Sequence, residues 1–566
     1  MEYEVLLINV FRDAGGHSEG FNDGIGQYLI AAYLRKHHFV AQVFSGEIFE
    51  CRRVIKNEVE RNHIRVVGLY AAADNIRIVA NAIRWIKSNY PEVTTFVGGP
   101  QAIALDAAFF LSTGNDYAIV GEGEIPTYKL VSYLIDGIGN LSDIPSLLYY
   151  DNKSNKLAWN QCDDAIITDL DEIPFPQMED SLSGKLRQSN MAGIITGRGC
   201  PNHCTFCYEG ANAKNVRFRS IKNVMEEIDY ITAHNPRVEY INVYDDTFTL
   251  RGDRVVEFCK EMKQRRLKWF CEGHVSFVVQ HPDILKIMVD SGLTAIQFGI
   301  ESGSQKVLDA YNKRTSKNMI LECVKICKDI GVHNVTGNFI IGGAFETEET
   351  LHESKKLAAE LISAAKGIME IYAVYFAPYP NTQMVKFPEK FDIKLDSQLE
   401  EWNLNTMRSP VIQTKELSVT EIYKQKHGFE TFLSENYHAA TLQSKKKDVL
   451  SSLFQDGKRV HINPTWEKCY LSYNHIETFL RHLSEQEQTF SENGYIIRTF
   501  EDFVIKKDKM YTDIGTFSGI ERDILLNATG VYSAKELSAK FSLDIEEMRN
   551  AFESLNNRCL VYMSNW

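Results

Sequence analysis

The chain has 566 residues, 44% of them hydrophobic and 24% charged, enough for about three or four domains with sizeable cores. Lys and Arg number 62 against 75 Asp and Glu, and the net charge of −13 argues against a broad nucleic-acid or anionic-membrane surface. The acidic start Met1-Glu2-Tyr3-Glu4 and the short apolar run Val5–Val10 fit neither a secretory signal nor a membrane span, and eleven cysteines predict metal or redox use, not a disulfide framework, in a cytoplasmic protein.

Five short β-branched runs, Val5–Val10, Val40–Ser45, Val66–Ala71, Thr94–Val97 and Tyr117–Val120, alternate with amphipathic stretches. That rhythm predicts an α/β domain over 1–140 built on a doubly wound parallel sheet of the flavodoxin type. The segments that follow the runs collect small residues: Asn9 to Gly20, Ala71-Ala72-Ala73-Asp74, Gly98-Gly99-Pro100 and Gly121-Glu122-Gly123-Glu124. Small residues at the carboxyl edge of such a sheet let a flat ligand meet backbone closely. Periodicity fades over 141–190, where two prolines in Asp169–Pro176 predict a stiffened connector.

Over 191–387 the β-then-α rhythm returns six times, with strands expected at Gly193–Thr196, Tyr240–Tyr244, Trp269–Glu272, Ala295–Ile300, Thr336–Ile341 and Glu370–Phe376. Six such repeats predict a partial (β/α)6 barrel with its chemistry at the C-terminal strand ends. A mostly helical extension is expected over 388–514. Residues 515–566, with helical stretches Ser518–Asn527, Ser533–Phe541 and Ile545–Asn557 before an apolar strand, predict a winged-helix-like module.

Directly after the first barrel strand, Gly197–Tyr208 sets Cys200, Cys204 and Cys207 at C-x3-C-x2-C spacing on a loop. Chance places both later cysteines after a given Cys in about 4 of 10,000 cases at this composition. Three thiolates so close suit an iron–sulfur cluster, because soft sulfur binds iron and a short loop can wrap one cluster face. Zinc is the rival; it needs four ligands, and His203 inside the loop is awkwardly placed to be the fourth. Three ligands on a four-iron cluster leave one iron open.

The loop, the aromatic Phe206 before its last Cys and the βα setting resemble the radical S-adenosylmethionine (SAM) superfamily over residues 191–382. The resemblance implies a [4Fe-4S] cluster on Cys200, Cys204 and Cys207, whose open iron chelates SAM and cleaves it reductively to methionine and a 5′-deoxyadenosyl radical. An external electron donor such as flavodoxin or ferredoxin is implied as a partner. So are cofactor contacts from Phe206, from Asp245 to the SAM ammonium, from Glu301 and Ser302 at the fourth strand end, and from Gly342, where a missing side chain would let adenine lie on backbone. Asp246 reads equally as a turn and helix cap. His274 stands where many relatives have Arg, and Asn381 where they have Gly. Cys259, Cys271, Cys323 and Cys327 read as core.

The order of sheet domain, proline connector and barrel resembles the cobalamin-binding subclass of that superfamily over 1–382. It implies cobalamin contacts from Gly98, Gly99, Pro100, Gly121, Glu122 and Gly123, with Gly24-Ile25-Gly26 opening the first helix. Asp13, His17 and Gly20 approximate an Asp-x-His-x-x-Gly motif with two residues too many, so the lower cobalt ligand stays open. The expected function is C-methylation of an unactivated carbon in a peptide or other natural-product precursor, and the helical tail resembles extensions of peptide-maturing relatives. Radical rearrangement or oxidation without methyl transfer is the alternative. A cobalamin-responsive DNA-binding regulator is disfavoured by the acidic balance, and neither nucleic acid nor membrane is an expected partner.

Overall fold

The computed structural model describes residues 4–11, 24–73, 75–161, 165–182, 189, 191–212, 215–365, 368–395, 410–442, 459–462, 490–492, 495–497, 503–507, 510–515, 518–527, 534–557 and 561–564. The first sheet holds β1 (Val5–Phe11), β2 (Ala41–Glu47), β3 (Val66–Tyr70), β4 (Thr94–Gly98), β5 (Tyr117–Ile119), β6 (Leu147–Asp151) and β7 (Lys156–Trp159) in the order β2-β1-β3-β4-β5-β6-β7. Strands β1 to β5 are parallel. They are apolar on both faces because helices cover both. Of α1 (Ile25–Lys36), α2 (Ile48–Asn62), α3 (Ile76–Asn89), α4 (Ala107–Thr113) and α5 (Glu124–Val131), the first and last pack one face through Tyr28, Leu34, Leu130 and Val131; the others pack the opposite face through Ile55, Val79, Ile83 and Phe109. Strand order reverses about β1, so the crevice of this sheet lies at the carboxyl ends of β1 and β3.

The reading of 141–190 as a connector needs correction at its start, where β6 and β7 form an antiparallel hairpin that extends the sheet. Its buried leucines, Leu147 and Leu148, sit beside an edge strand with exposed Leu157 and Trp159, and so short an alternation leaves little periodicity to read. Residues 165–182 do connect. Arg35 pairs with Asp180, Lys36 Nζ donates to Glu172 O at 2.9 Å, and Ser220 N donates to Asp171 Oδ1 at 2.8 Å.

The second sheet contains β8 (Met191–Ile194), β9 (Tyr240–Val243), β10 (Lys268–Gly273), β11 (Leu293–Glu301), β12 (Asn334–Ile341) and β13 (Met369–Tyr375), all parallel and in sequential order. Its two edge strands do not pair, which makes it an open six-stranded (β/α) barrel. Buried Trp269, Phe258, Phe298 and Phe339 fill the core between strands and helices. The first strand ends two residues earlier than expected, because Gly197–Arg198 peels away to pair antiparallel with Arg217–Phe218.

Beyond the barrel, the described residues of 388–514 include short strands as well as an expected helix. These include the ribbon Ile393–Leu395 with Ile412–Thr414, the helix Val419–Leu442 and two further antiparallel pairs, Phe490–Glu492 with Tyr495–Ile497 and Phe503–Lys507 with Met510–Gly515. Charged residues inside these short strands obscure their alternation. The helix Val419–Leu442 lies on the barrel edge, with Phe429 5.4 Å from Phe339 and Lys426 over the Tyr375 ring. Near the end, helices Gly519–Asn527, Ala534–Phe541 and Ile545–Asn557 bury Ile524, Leu537, Met548 and Phe552, and Val561–Ser564 pairs with Arg459–Ile462. Among the described residues no helix is long and apolar enough to cross a membrane.

Candidate functional site

The three-cysteine loop follows β8 at the C-terminal face of the barrel, and backbone constraints shape it. Gly199 has φ +87°, and a Cβ there would come within 2.6 Å of Asn215 O, so this position requires glycine. The far side of the loop is held by the segment after β11: Thr205 N and Oγ1 donate to Tyr311 O and Ala310 O at 3.1 and 2.8 Å, and Asn312 Nδ2 donates to His203 O at 2.9 Å. Phe206 packs against Tyr311, ring centroids 4.9 Å apart.

Cys200, Cys204 and Cys207 are free and half-buried. Burial pushes the Cys207 thiol up to about 11 and raises that of Cys204. A metal centre supplies the positive charge that turns such thiols into ligands. His203, the possible zinc ligand, is exposed. Among the described residues no three His, Cys, Asp or Glu side chains converge as a single metal ion would need.

Below the loop lies an anchor that the sequence assigned differently. Asp245, expected at the SAM ammonium, is 4% exposed and accepts from Thr196 N, Thr196 Oγ1 and Gly197 N at 2.6, 2.6 and 2.9 Å. Arg254 reinforces this base by donating to Thr196 O and Arg219 O. Asp245 therefore fixes the root of the cysteine loop. The exposed carboxylate is its neighbour Asp246, which accepts Gly199 N at 2.7 Å, because successive residues at a strand end face opposite ways.

Two further assignments change. Ser302 is fully buried, its Oγ 3.1 Å from Ser354 Oγ and accepting Ser304 N, so it braces the strand end internally. At Gly342 the space of a missing Cβ is taken by Ile422 from the helix Val419–Leu442, and at Gly343 by the Tyr311 hydroxyl, so both glycines admit protein side chains. Beneath them Glu346, 1% exposed, accepts the Gly342 N–H, and burial pushes its carboxyl up to about 8. Cys259, Cys271, Cys323 and Cys327 are buried in the barrel core.

Glu301 keeps its place at the end of β11. It is 6% exposed, has φ +64°, and accepts from Lys313 Nζ at 2.8 Å. A left-handed non-glycine residue costs about 1–3 kcal/mol, and such strain tends to sit at functional sites. Around the same rim, burial first and then Asp246 raise Glu272 and Glu209 to about 7 each. His274 caps the helix after β10 and has a lowered pKa, from burial and then Lys313.

On the first domain, nothing lies within 4 Å of where a Cβ would stand on Gly98 or Gly121, at the ends of β4 and β5, so this edge is open to a flat ligand. Gly99, φ +96°, presses against Ala71 O, Pro100 starts a short 3-10 helix, and Gly123 packs on Ile30. Asn75, which the sequence did not single out, donates to Val10 O at 3.0 Å and Tyr70 O at 3.1 Å and so fixes the carboxyl ends of β1 and β3. The Gln27 amide and Thr127 hydroxyl, on α1 and α5, are buried without a partner among the described residues, as polar groups awaiting a ligand would be. Asp13, His17, Gly20 and Asp74 lie outside the described residues.

Glu122, assigned to the same edge, turns away from it. It pairs with Arg217 and, at 2.9 Å, with Arg198, while Glu124 takes a second bond from Arg198. Both arginines belong to the ribbon that begins the cysteine loop. The turn after β5 and the root of the loop are thus tied by four charged side chains that no spacing rule links.

Residues 194–358 match the radical SAM superfamily. The chain is 28% identical over 411 residues to an uncharacterized methyltransferase of Pyrococcus horikoshii, covering 71% of this chain and 85% of that protein. Two solved structures share its fold. The radical SAM methyltransferase TsrM of Kitasatospora setae, solved with cobalamin and a [4Fe-4S] cluster, is 13% identical with a TM-score of 0.59, over 77% of this chain and 89% of that one. The cobalamin-dependent radical enzyme OxsB, solved with aqua-cobalamin and SAM, is 16% identical with a TM-score of 0.62, over 80% and 69%.

Proposed function

We propose that this chain is a cobalamin-dependent radical SAM enzyme, a C-methyltransferase acting on an unactivated carbon of a peptide or other natural-product precursor. One observation carries the reading: a loop of three half-buried, unpaired cysteines at the C-terminal face of an open (β/α) barrel, tied by Arg198 and Arg217 to the open carboxyl edge of a second parallel sheet. Cys200, Cys204 and Cys207 would hold a [4Fe-4S] cluster, and the glycine edge at Gly98 and Gly121 would admit cobalamin. The cluster supplies reductive cleavage of SAM, and the corrinoid supplies a transferable methyl group.

The remaining work falls to the protein. Asp245 and Arg254 hold the loop root, Phe206 and Tyr311 pack its far side, and Asn75 sets the crevice at β1 and β3. Glu301 stands at the strand end as an acceptor for SAM. The methyltransferase similarity of the Pyrococcus protein supports methyl transfer over rearrangement. The three helices and strand over 515–566 support a winged-helix-like end that would grip part of a peptide substrate, and an external flavodoxin or ferredoxin would deliver electrons in the cytoplasm.

Anaerobic reconstitution with iron, sulfide, cobalamin and methyl-labelled SAM tests this. Formation of both 5′-deoxyadenosine and S-adenosylhomocysteine is expected, and deoxyadenosine alone would favour the rearrangement reading. Absence of a four-iron spectrum after reconstitution would sink both.

A further inference from the structure

The ribbon that opens the cysteine loop carries two like charges side by side. Arg198 and Arg217 face each other across its antiparallel strands, and their side chains are only 16% and 12% exposed. Cations placed opposite one another repel, and in a half-buried setting that repulsion must be offset by carboxylates close at hand. Both carboxylates come from the other domain. Arg198 Nη1 donates to Glu122 Oε2 at 2.9 Å and to Glu124 Oε2 at 3.3 Å, and Glu122 pairs with Arg217 as well. Arg217 also donates to Ile167 O in the connector.

Each end of this bridge lies next to a proposed ligand edge. Arg198 precedes Gly199, whose left-handed backbone leads into Cys200. At the other end Glu122 stands between Gly123 and Gly121, and Gly121 has φ +94° with open space where a side chain would be. A ligand that settles against Gly121 therefore bears on the backbone that carries Glu122. Any displacement of Glu122 changes the charge balance that keeps the two arginines, and with them the root of the loop, in place.

We propose that Glu122 is a positioning residue whose pairing with Arg198 and Arg217 couples corrinoid binding at the first sheet to SAM binding at the cysteine loop, each favouring the other. A ligand at the glycine edge fixes the turn that carries Glu122, and the fixed turn holds the ribbon in the arrangement that presents the three cysteines. Linkage requires the same factor in both directions. This inference rests on the proposed function for its two ligands but not on the substrate.

The test is equilibrium dialysis of the cluster-loaded full chain without reductant, so that no turnover occurs, after iron and sulfide content has been measured. SAM affinity is read with and without saturating hydroxocobalamin, and hydroxocobalamin affinity with and without SAM. In the wild type each ligand should tighten the other by the same factor, about fivefold or more. That factor should fall toward one in E122Q and in R217Q, and the double variant should lose no more than either single one, because each change removes the same pairing. A wild-type factor of one, or a factor kept in both single variants while the two ligands bind more weakly, would overturn the proposal and leave the bridge a structural brace. Failure of the wild type to load a cluster or bind the corrinoid would strike the proposed function, and this proposal with it.

Discussion

The carboxyl edges of the two parallel sheets are built by opposite means. At the carboxyl edge of the first, Gly98 and Gly121 present open space, and the nearby carboxylates Glu122 and Glu124 are drawn off into ion pairs with the barrel. At the barrel edge the comparable glycines, Gly342 and Gly343, are filled by Ile422 and Tyr311, and the rim is instead lined with Asp246, Glu209, Glu272, Glu301 and Lys313. An edge without side chains leaves room for a large flat ligand, whereas a charged rim suits a small polar one. A parallel sheet serves either purpose, because what differs is the residue that follows each strand.

The largest expected effect breaks the barrel side alone. Cys204→Ala should abolish the cluster and all deoxyadenosine formation while cobalamin still binds, read by iron content and by the corrinoid spectrum. Deoxyadenosine at the wild-type rate would end the role given to the loop. The converse change is Gly98→Leu, whose side chain would project into the open edge at a position without positive φ. Cobalamin affinity should fall about 10- to 100-fold with cluster content intact, since overpacking a site costs about 1–3 kcal/mol. If corrinoid binding is unchanged, the flat ligand does not sit at this edge.

The contrast also explains what was legible in the sequence. The cysteine spacing and the alternation of strands and helices are local, and the order β2-β1-β3-β4-β5 and the six barrel strands follow from them. Which of two adjacent carboxylates, Asp245 or Asp246, faces the loop root depends on where β9 ends, and one residue reverses it. The occupants of Gly342 and Gly343 come from Ile422 and Tyr311, distant in sequence, so a glycine pair looks the same whether it admits a ligand or a side chain. Lys313, Arg198 and Arg217 are ordinary surface-type residues until the fold buries them beside Glu301, Glu122 and Glu124.

Buried carboxylates carry the comparison into pH dependence. Among the described residues no cation pairs with Glu346, and burial lifts it to about 8, above its ordinary value of 4.5. The native state therefore binds more protons than the unfolded chain between those values, and stability falls as pH rises through that window, levelling off above it. Glu346→Gln should flatten that slope and be the more stable protein at pH 8, by about 2–4 kcal/mol. Parallel Tm profiles at pH 5, 6.5 and 8 for the two proteins would show that Glu346 is solvated or paired.

Glu124 has the opposite sign and a smaller effect. Burial pushes its carboxyl up, but the charge and hydrogen bonds of Arg198 outweigh burial and leave it below the ordinary value. Its contribution is thus present above about pH 4.5 and lost as pH falls through its lowered value. Glu124→Gln should lower stability by about 2 kcal/mol near neutral pH, less than a fully orphaned buried charge because Arg198 retains Glu122, and the deficit should close in acid. The substitution changes neither Gly98 nor Gly121 nor any of the three cysteines. Cobalamin and SAM affinities measured separately should therefore stay near wild type, while labelled methyl transfer, which needs both edges held in one arrangement, should slow. A variant with full methyl transfer would mean that the ion pairs stabilise the chain without setting how the two sheets face each other.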